Sequence, residues 1–381
     1  MRVSEEELES SLREAQEALR QGRAAEARRR IEALTESGAD GEAPWLLLAA
    51  ARGAEQNLQG EEAALNRALD VAPRSVQGHL MKGHCRVRAG DHDLAVYYYR
   101  TGLDLAEGVQ ASPEVTGEIA RAREALARLE ARAHSAREAT LTARGLAPPK
   151  WSPRMRHSLE LAAGQRKRFV QQPTAFYYPE LPQIQFFDPG QFSWAAGVEA
   201  AAGSIRAELT KLLETDAEEF RPYIQSDNNS VPLRGNKTLL NSRDWSVLSL
   251  CERGWLAPDL IERCPRTWET VLGTSLPRIA GWGPTVVFSM LKAGAHIAPH
   301  TGMFNTRLIC HLPLIVPPGC RFRVGNEVRE WEEGKLMIFD DTIEHEAWND
   351  SAEDRVVLIF DIWRPELTDQ EKYELAALFS D

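Results

Sequence analysis

The apolar residues of this chain change their period part-way along it, and that change limits the fold more than any other feature. In residues 1–145 they recur at helical spacing, as in Leu8, Leu12, Ala15, Leu19 and then Ala24, Ala27, Ile31, Leu34. From about residue 284 the period moves towards two. Val286, Phe288 and Met290 alternate with Val287 and Ser289, and strand-like runs follow at 306–316, 321–324, 336–339 and 355–363. Turn signals such as Pro317-Pro318-Gly319, Gly325-Asn326 and Asn349-Asp350 separate these runs. A helix-period pattern does not settle as a strand. The chain therefore needs two kinds of unit, a helical one first and a β-sandwich or barrel after it.

The helical part carries signs of an internal repeat. Gly22 precedes Ala27 by five residues and Gly90 precedes Ala95 by five, and the two pairs lie 68 residues apart. That is twice the 34-residue tetratricopeptide period. Trp45, Leu48, Gly60, Leu65, Ala68 and Pro73 form a middle unit, and Gly83, Gly90, Ala95, Tyr99 and Gly102 a third. The stretch resembles about three degenerate tetratricopeptide units, with a generic helical bundle as the plainer alternative. A further helix at 113–139 would cap the array. Repeat arrays present concave surfaces, so a polypeptide partner is expected here. Residues 146–175 are broken by Pro148, Pro149, Pro153 and Pro173 and read as a linker. Residues 176–381 then form the second domain, with helices over 194–214 and 258–271 buttressing its strands.

Charge and composition exclude several functions. The formal net charge of -11 argues against a chain that mainly coats nucleic acid. No apolar stretch approaches the ~20 residues of a membrane span. The start, MRVSEEELES, lacks a basic region followed by an apolar run, so no secretory signal is expected. Five cysteines without a CxxC pair fit neither a disulfide framework nor a zinc knuckle. A cytoplasmic protein follows, and the sequons at Asn228, Asn236 and Asn349 then carry no weight. The segment Gly235-Asn236-Lys237-Thr238 lacks the glycines of a phosphate loop.

The chemistry is expected among the histidines. Four of the nine, His296, His300, His311 and His345, fall in one fifty-residue stretch. Imidazole suits iron and other borderline metals. His300 and His345, at the ends of separate strands, either converge on one metal or are unrelated loop residues. Pro299 argues against a helix joining His296 to His300, so His296 reads as a pocket-wall or structural residue. The many tryptophans read mostly as core, with Trp348 a candidate pocket residue.

Several ordered motifs make the region recognisable. They are His300-Thr301-Gly302, Asn305-Thr306-Arg307-Leu308, His311-Leu312, Val316-Pro317-Pro318-Gly319-Cys320, Val324-Gly325-Asn326-Glu327, Phe339-Asp340-Asp341, Glu344-His345-Glu346 and Asp361-Ile362-Trp363-Arg364-Pro365. Together they closely resemble the aspartyl/asparaginyl β-hydroxylase family, densely over 284–367 and more weakly back to Phe176-Tyr177-Tyr178-Pro179. The resemblance implies an α+β multidomain protein, in which a tetratricopeptide-like region precedes a double-stranded β-helix (jelly-roll, cupin-like) domain. It implies an oxidoreductase, a dioxygenase that uses Fe(II), 2-oxoglutarate and O2 and releases succinate and CO2. By position, His300 and His345 would ligate iron, and Arg355 would hold the far carboxylate of 2-oxoglutarate. Ser289 and His311 would also contact the cosubstrate. Arg307 would contact a carboxylate or make a structural ion pair.

Two departures follow from the same comparison. The carboxylate that related oxygenases carry two residues after the first histidine is Gly302 here, an absence the family shares. Water would take the vacant position, and Asp340, Asp341, Glu344 and Glu346 would act around the ligands. A second arginine of eukaryotic members is replaced by Ile309, which puts the substrate in doubt more than the chemistry. The expected target is the β-carbon of Asp or Asn in a peptide or protein. A small molecule, a carrier-bound peptide, lipid A, or a catalytically silent repeat scaffold are the alternatives.

Overall fold

A computed structural model describes residues 5–39, 41–108, 112–225, 239–279 and 281–379. The sequons at Asn228 and Asn236 and the segment 235–238 lie outside the described residues. The chain divides into two compact units, residues 1–166 and 167–381. No helix among the described residues is long and apolar enough to cross a membrane.

The first unit is helical. Its helices are α1 (Glu5–Arg20), α2 (Ala24–Glu36), α3 (Glu42–Ala54), α4 (Leu58–Val71), α5 (Val76–Arg88), α6 (His92–Leu105), α7 (Pro113–Ala143) and α8 (Pro153–Ala162). The last of these falls inside the stretch read as linker. Asn57, Ser75, Asp91 and Ser112 start helices in the usual way, each side-chain oxygen accepting from an N–H of the first turn. Ala27, Ile31, Leu48, Leu65 and Ala68 are fully buried between successive helices. Gly22 and Gly90 turn the chain with φ of 73° and 77°, a conformation that costs glycine nothing. At Gly83 a Cβ would stand 2.5 Å from Tyr99 Cδ1, so α5 and α6 touch because that residue is small.

In the second unit the named strands all pair antiparallel. Its elements run β1 (Phe186–Phe187), α9 (Ala195–Thr215), β2 (Arg221–Pro222), β3 (Trp245–Glu252), β4 (Trp255–Leu256), α10 (Pro258–Arg263) and α11 (Pro265–Leu272). They continue with β5 (Val286–Leu291), β6 (His296–His300), β7 (Arg307–Ile315), β8 (Cys320–Val324), β9 (Glu327–Glu330), β10 (Met337–Phe339), β11 (His345–Asn349), β12 (Arg355–Trp363) and α12 (Asp369–Phe379). One sheet has the order β1-β10-β7-β12-β5-β3-β2, with β4 beside β3; the other has the order β6-β11-β8-β9.

Alternation along the large sheet sorts its side chains. Leu308, Cys310, Leu312, Leu314, Phe288, Leu358 and Phe360 pack with Ile205, Leu209 and Leu212 of α9 and Val271 of α11. Each such side chain contributes roughly 1.5–3 kcal/mol by leaving water. The residues between them, including Ile309 and Leu291, turn the other way and join Phe322, Val324 and Ala347 from the small sheet and Ile343 from the turn before β11. The space between the sheets is therefore where the polar members of β5, β7 and β12 must lie.

Two sequence expectations change here. The stretch 258–271 is two short helices, because Pro265 begins a new helix instead of continuing the first. Strands β3, β6, β9 and β11 and the two-residue strands β1, β2 and β4 are additional to those read from alternation.

Candidate active site

His345 begins β11 and His300 ends β6, and the two are register partners. Their rings lie 4.1 Å apart between centroids. The pairing rests on an irregularity: His345 faces His300, but Ala347 faces Ile297, so β6 spends one residue more than β11. Such a bulge re-aims a side chain. It turns His300 to the inner face beside buried Ile297 and leaves His296 outside. There His296 stacks on Trp348 at 5.3 Å and meets Glu346 at 3.2 Å. Trp348 is thus not a pocket residue: it alternates with His345 and Ala347 and takes the outer face, with Arg321 over its ring.

Each inner imidazole is held the same way. His300 Nδ1 lies 2.8 Å from the Ala298 carbonyl, and His345 Nδ1 3.1 Å from the Ile343 carbonyl. A carbonyl can only accept, so Nδ1 carries the proton and Nε2 keeps its lone pair. Burial lowers the pKa of His300, and burial together with the neighbouring His300 lowers that of His345 well below the ordinary value. Both rings are therefore neutral near pH 7, the state in which imidazole ligates metal. Among the described residues no group of three or more His, Cys, Asp or Glu is arranged to hold a metal. The candidate donor set is two imidazoles.

The position of the missing carboxylate has a physical occupant. A Cβ on Gly302 would stand 1.9 Å from Asp341 Oδ2, and Gly302 N donates to the Asp341 carbonyl at 2.7 Å. Asp341 thus takes the space that a side chain at 302 would need. Burial pushes its carboxyl pKa up to about 7, against the pull of Arg307. Its Oδ1 has no hydrogen-bond partner among the described residues. Asp340, by contrast, is consumed by the scaffold. It accepts from Arg364 at 2.7 Å, Gln171 at 2.6 Å and the Thr342 backbone at 3.0 Å. Glu344 and Glu346 both pair with Arg323.

The large sheet faces the histidines with Ser289, His311, Arg355 and Arg307. His311 reaches His345 through Phe339 and Phe322, with centroid distances of 4.8 and 5.2 Å from His311. Ser289 Oγ accepts from Trp245 Nε1 at 3.1 Å, and the Trp245 ring lies 6.0 Å from that of His300. Arg355 is 1% exposed. Its Nε and Nη1 have no partner among the described residues, and neither has His311 Nδ1. A buried donor left unpaired costs roughly 1–3 kcal/mol. These atoms therefore fit an acceptor-rich anion such as a carboxylate. Arg307 makes the ion pair weighed above, to Asp361 at 2.7 Å, and its Nε is also unpartnered among the described residues.

The turn after β11 leaves the sheet that β11 belongs to. It crosses from the small sheet to the large one, so His345 and Arg355 stand in different sheets. Asn349 fixes that crossing: its Nδ2 donates to the carbonyls of Leu291, Lys292 and Glu353 at 2.8–3.0 Å. Sequence reading missed Trp245 and Trp331 as site residues. Apolar character alone could not separate them from core.

Residues 199–365 match the family model described as aspartyl/asparaginyl beta-hydroxylase. The chain is 35% identical over 176 residues to the human aspartyl/asparaginyl beta-hydroxylase, a match that covers 45% of this chain and 23% of that protein. It is 37% identical over 191 residues to the ornithine lipid ester-linked acyl 2-hydroxylase of Rhizobium tropici, covering 49% and 63%. It is 31% identical over 217 residues to human aspartate beta-hydroxylase domain-containing protein 2, covering 55% and 56%. The chain thus spans 23–63% of the length of these relatives. Its helices align with the type III secretion translocator chaperone SycD of Yersinia enterocolitica at a TM-score of only 0.32, with 16% identity over 34% of this chain and 88% of that one. Residues 199–365, within the C-terminal unit, are thus similar to the aspartyl/asparaginyl β-hydroxylase family and to hydroxylases named for it.

Proposed function

We propose that the second unit is an Fe(II)- and 2-oxoglutarate-dependent hydroxylase on a double-stranded β-helix. One observation supports this most: two neutral imidazoles, each held at Nδ1 by a backbone carbonyl, share the inter-sheet space with a buried arginine whose Nε and Nη1 lack a partner among the described residues. His300 and His345 would hold the iron. Arg355 would take the far carboxylate of 2-oxoglutarate, with Ser289 and His311 beside it. Bound iron would supply oxygen activation, with 2-oxoglutarate and O2 giving succinate, CO2 and one hydroxyl on the substrate.

The chain's own residues do the rest. The two carbonyl contacts orient the imidazoles before metal arrives. Phe322, Phe339 and Trp331 exclude water from the space between the sheets. Asp341 presents an unpartnered oxygen where a third protein ligand would otherwise stand.

The target is a methylene beside an acyl carbon. The β-carbon of Asp or Asn carries a carboxyl or carboxamide, and C2 of an acyl chain carries its ester carbonyl. The names of the relatives thus share one bond type. A peptide Asp or Asn is the first reading, with the helical unit recruiting the polypeptide. An ester-linked acyl chain is the second, favoured by the 37% identity to the lipid hydroxylase. Five buried cysteines, none in a disulfide, fit a reducing, cytoplasmic setting.

The test uses the full chain loaded with Fe(II) and supplied with 2-oxoglutarate, O2 and either a peptide or an acyl-ester pool. Succinate should form with a product heavier by one oxygen, and His345→Ala should abolish both. Succinate no higher than in that variant with every pool would sink the proposal.

A further inference from the structure

Trp331 follows β9 and reaches from the small sheet towards the large one. Its ring lies beneath the Arg355 guanidinium, with 4.6 Å from Cζ to the ring centroid. It also stacks on Phe322 at 5.3 Å and on His311 at 6.0 Å. The residue is 6% exposed, yet its Nε1–H has no hydrogen-bond partner among the described residues. An indole nitrogen can only donate, and buried tryptophans ordinarily find an acceptor. Three neighbouring side chains, Trp331, Arg355 and His311, therefore carry unpartnered buried nitrogens in one contact group.

The two groups have compatible geometry. A guanidinium over a ring face keeps its N–H groups at its edge, and the indole N–H also lies in the ring plane. A carboxylate at that shared edge accepts from both. We infer that Trp331 is a cosubstrate-positioning residue: its ring face supports Arg355, and its Nε1–H donates to the far carboxylate of the 2-oxo acid. The inference rests on the reading of this pocket as a 2-oxoglutarate site. It adds a specificity element, because an acid without the second carboxylate leaves Nε1 unpaired.

The experiment measures calorimetric binding to the full chain loaded with Mn(II) without oxygen, using 2-oxoglutarate and 2-oxobutyrate, which lacks the far carboxylate. Trp331→Phe should weaken 2-oxoglutarate binding roughly 10- to 100-fold, the contribution of one hydrogen bond to a charged group. Its 2-oxobutyrate and Mn(II) affinities should match the wild type. A 2-oxoglutarate affinity within twofold of wild type overturns the inference, and so does equal weakening for both acids. Wild-type protein that binds neither acid overturns the site reading and this inference with it. If the variant does not fold, a structure of the wild-type complex decides. Nε1 within about 3.2 Å of a carboxylate oxygen supports the assignment, and a longer separation overturns it.

Discussion

Arg355→Met separates the stability of this unit from its ligand chemistry, because the two should move in opposite directions. Burial pulls the Arg355 guanidinium pKa down to about 10. Keeping it charged at pH 7 without ligand therefore costs roughly 3 kcal/mol. Its contact with the Trp331 ring returns roughly 1–2 kcal/mol. Methionine is long and uncharged, so it removes both contributions and leaves little void. The ligand-free variant should be more stable by about 1–2 kcal/mol, a rise in Tm of roughly 2–8 °C for a unit of this size. Binding of 2-oxoglutarate should instead fall at least roughly 100-fold, since two charge-assisted hydrogen bonds are lost. Thermal melts with and without Mn(II) and 2-oxoglutarate check both halves. Wild type should gain Tm from the ligand and the variant should not. A ligand-free variant that melts below wild type, or one that still binds within threefold, would refute the reasoning.

Three further outcomes are expected. Gly302→Ala should cost roughly 1–3 kcal/mol, because its Cβ meets Asp341 at 1.9 Å. Adding Asp341→Gly should recover at least about 1 kcal/mol of that cost in a double-mutant cycle read by urea melts, and strict additivity would deny the contact. Arg364→Met strands the Asp340 carboxylate, both partners being fully buried, and should destabilise by roughly 3–5 kcal/mol in the same melts. In the helical unit, the contact with His84 first and Arg121 next holds the Glu118 carboxyl down to about 2. The unfolded chain takes up that proton at higher pH, so the contribution is present above about pH 4.5 and lost as pH falls towards 2. Partial exposure limits it to roughly 1 kcal/mol. Glu118→Gln should flatten that part of the acid unfolding curve, and an unchanged curve would rule the contact out.

The sequence by itself determined the two kinds of unit, since periods of 3.6 and 2 cannot share one element. Through its ordered motifs and the resemblance they carry, it also pointed to His300, His311, His345, Ser289 and Arg355 as candidate site residues. It could not determine which face each would take. By simple alternation His296, Ala298 and His300 would share one side of β6, and only the extra residue opposite His345 sends His300 inward and His296 out. Nor does spacing show that β11 and β12, and with them His345 and Arg355, lie in different sheets. Trp331 and Trp245 read as core from their apolar character. What distinguishes them is a nitrogen whose partner, present or missing, depends on groups far away in the chain. Composition and period act locally and survive in the sequence. Facing, satisfaction of buried donors and the fit of Asp341 against Gly302 depend on two sheets meeting, and they exist only once the tertiary structure has formed.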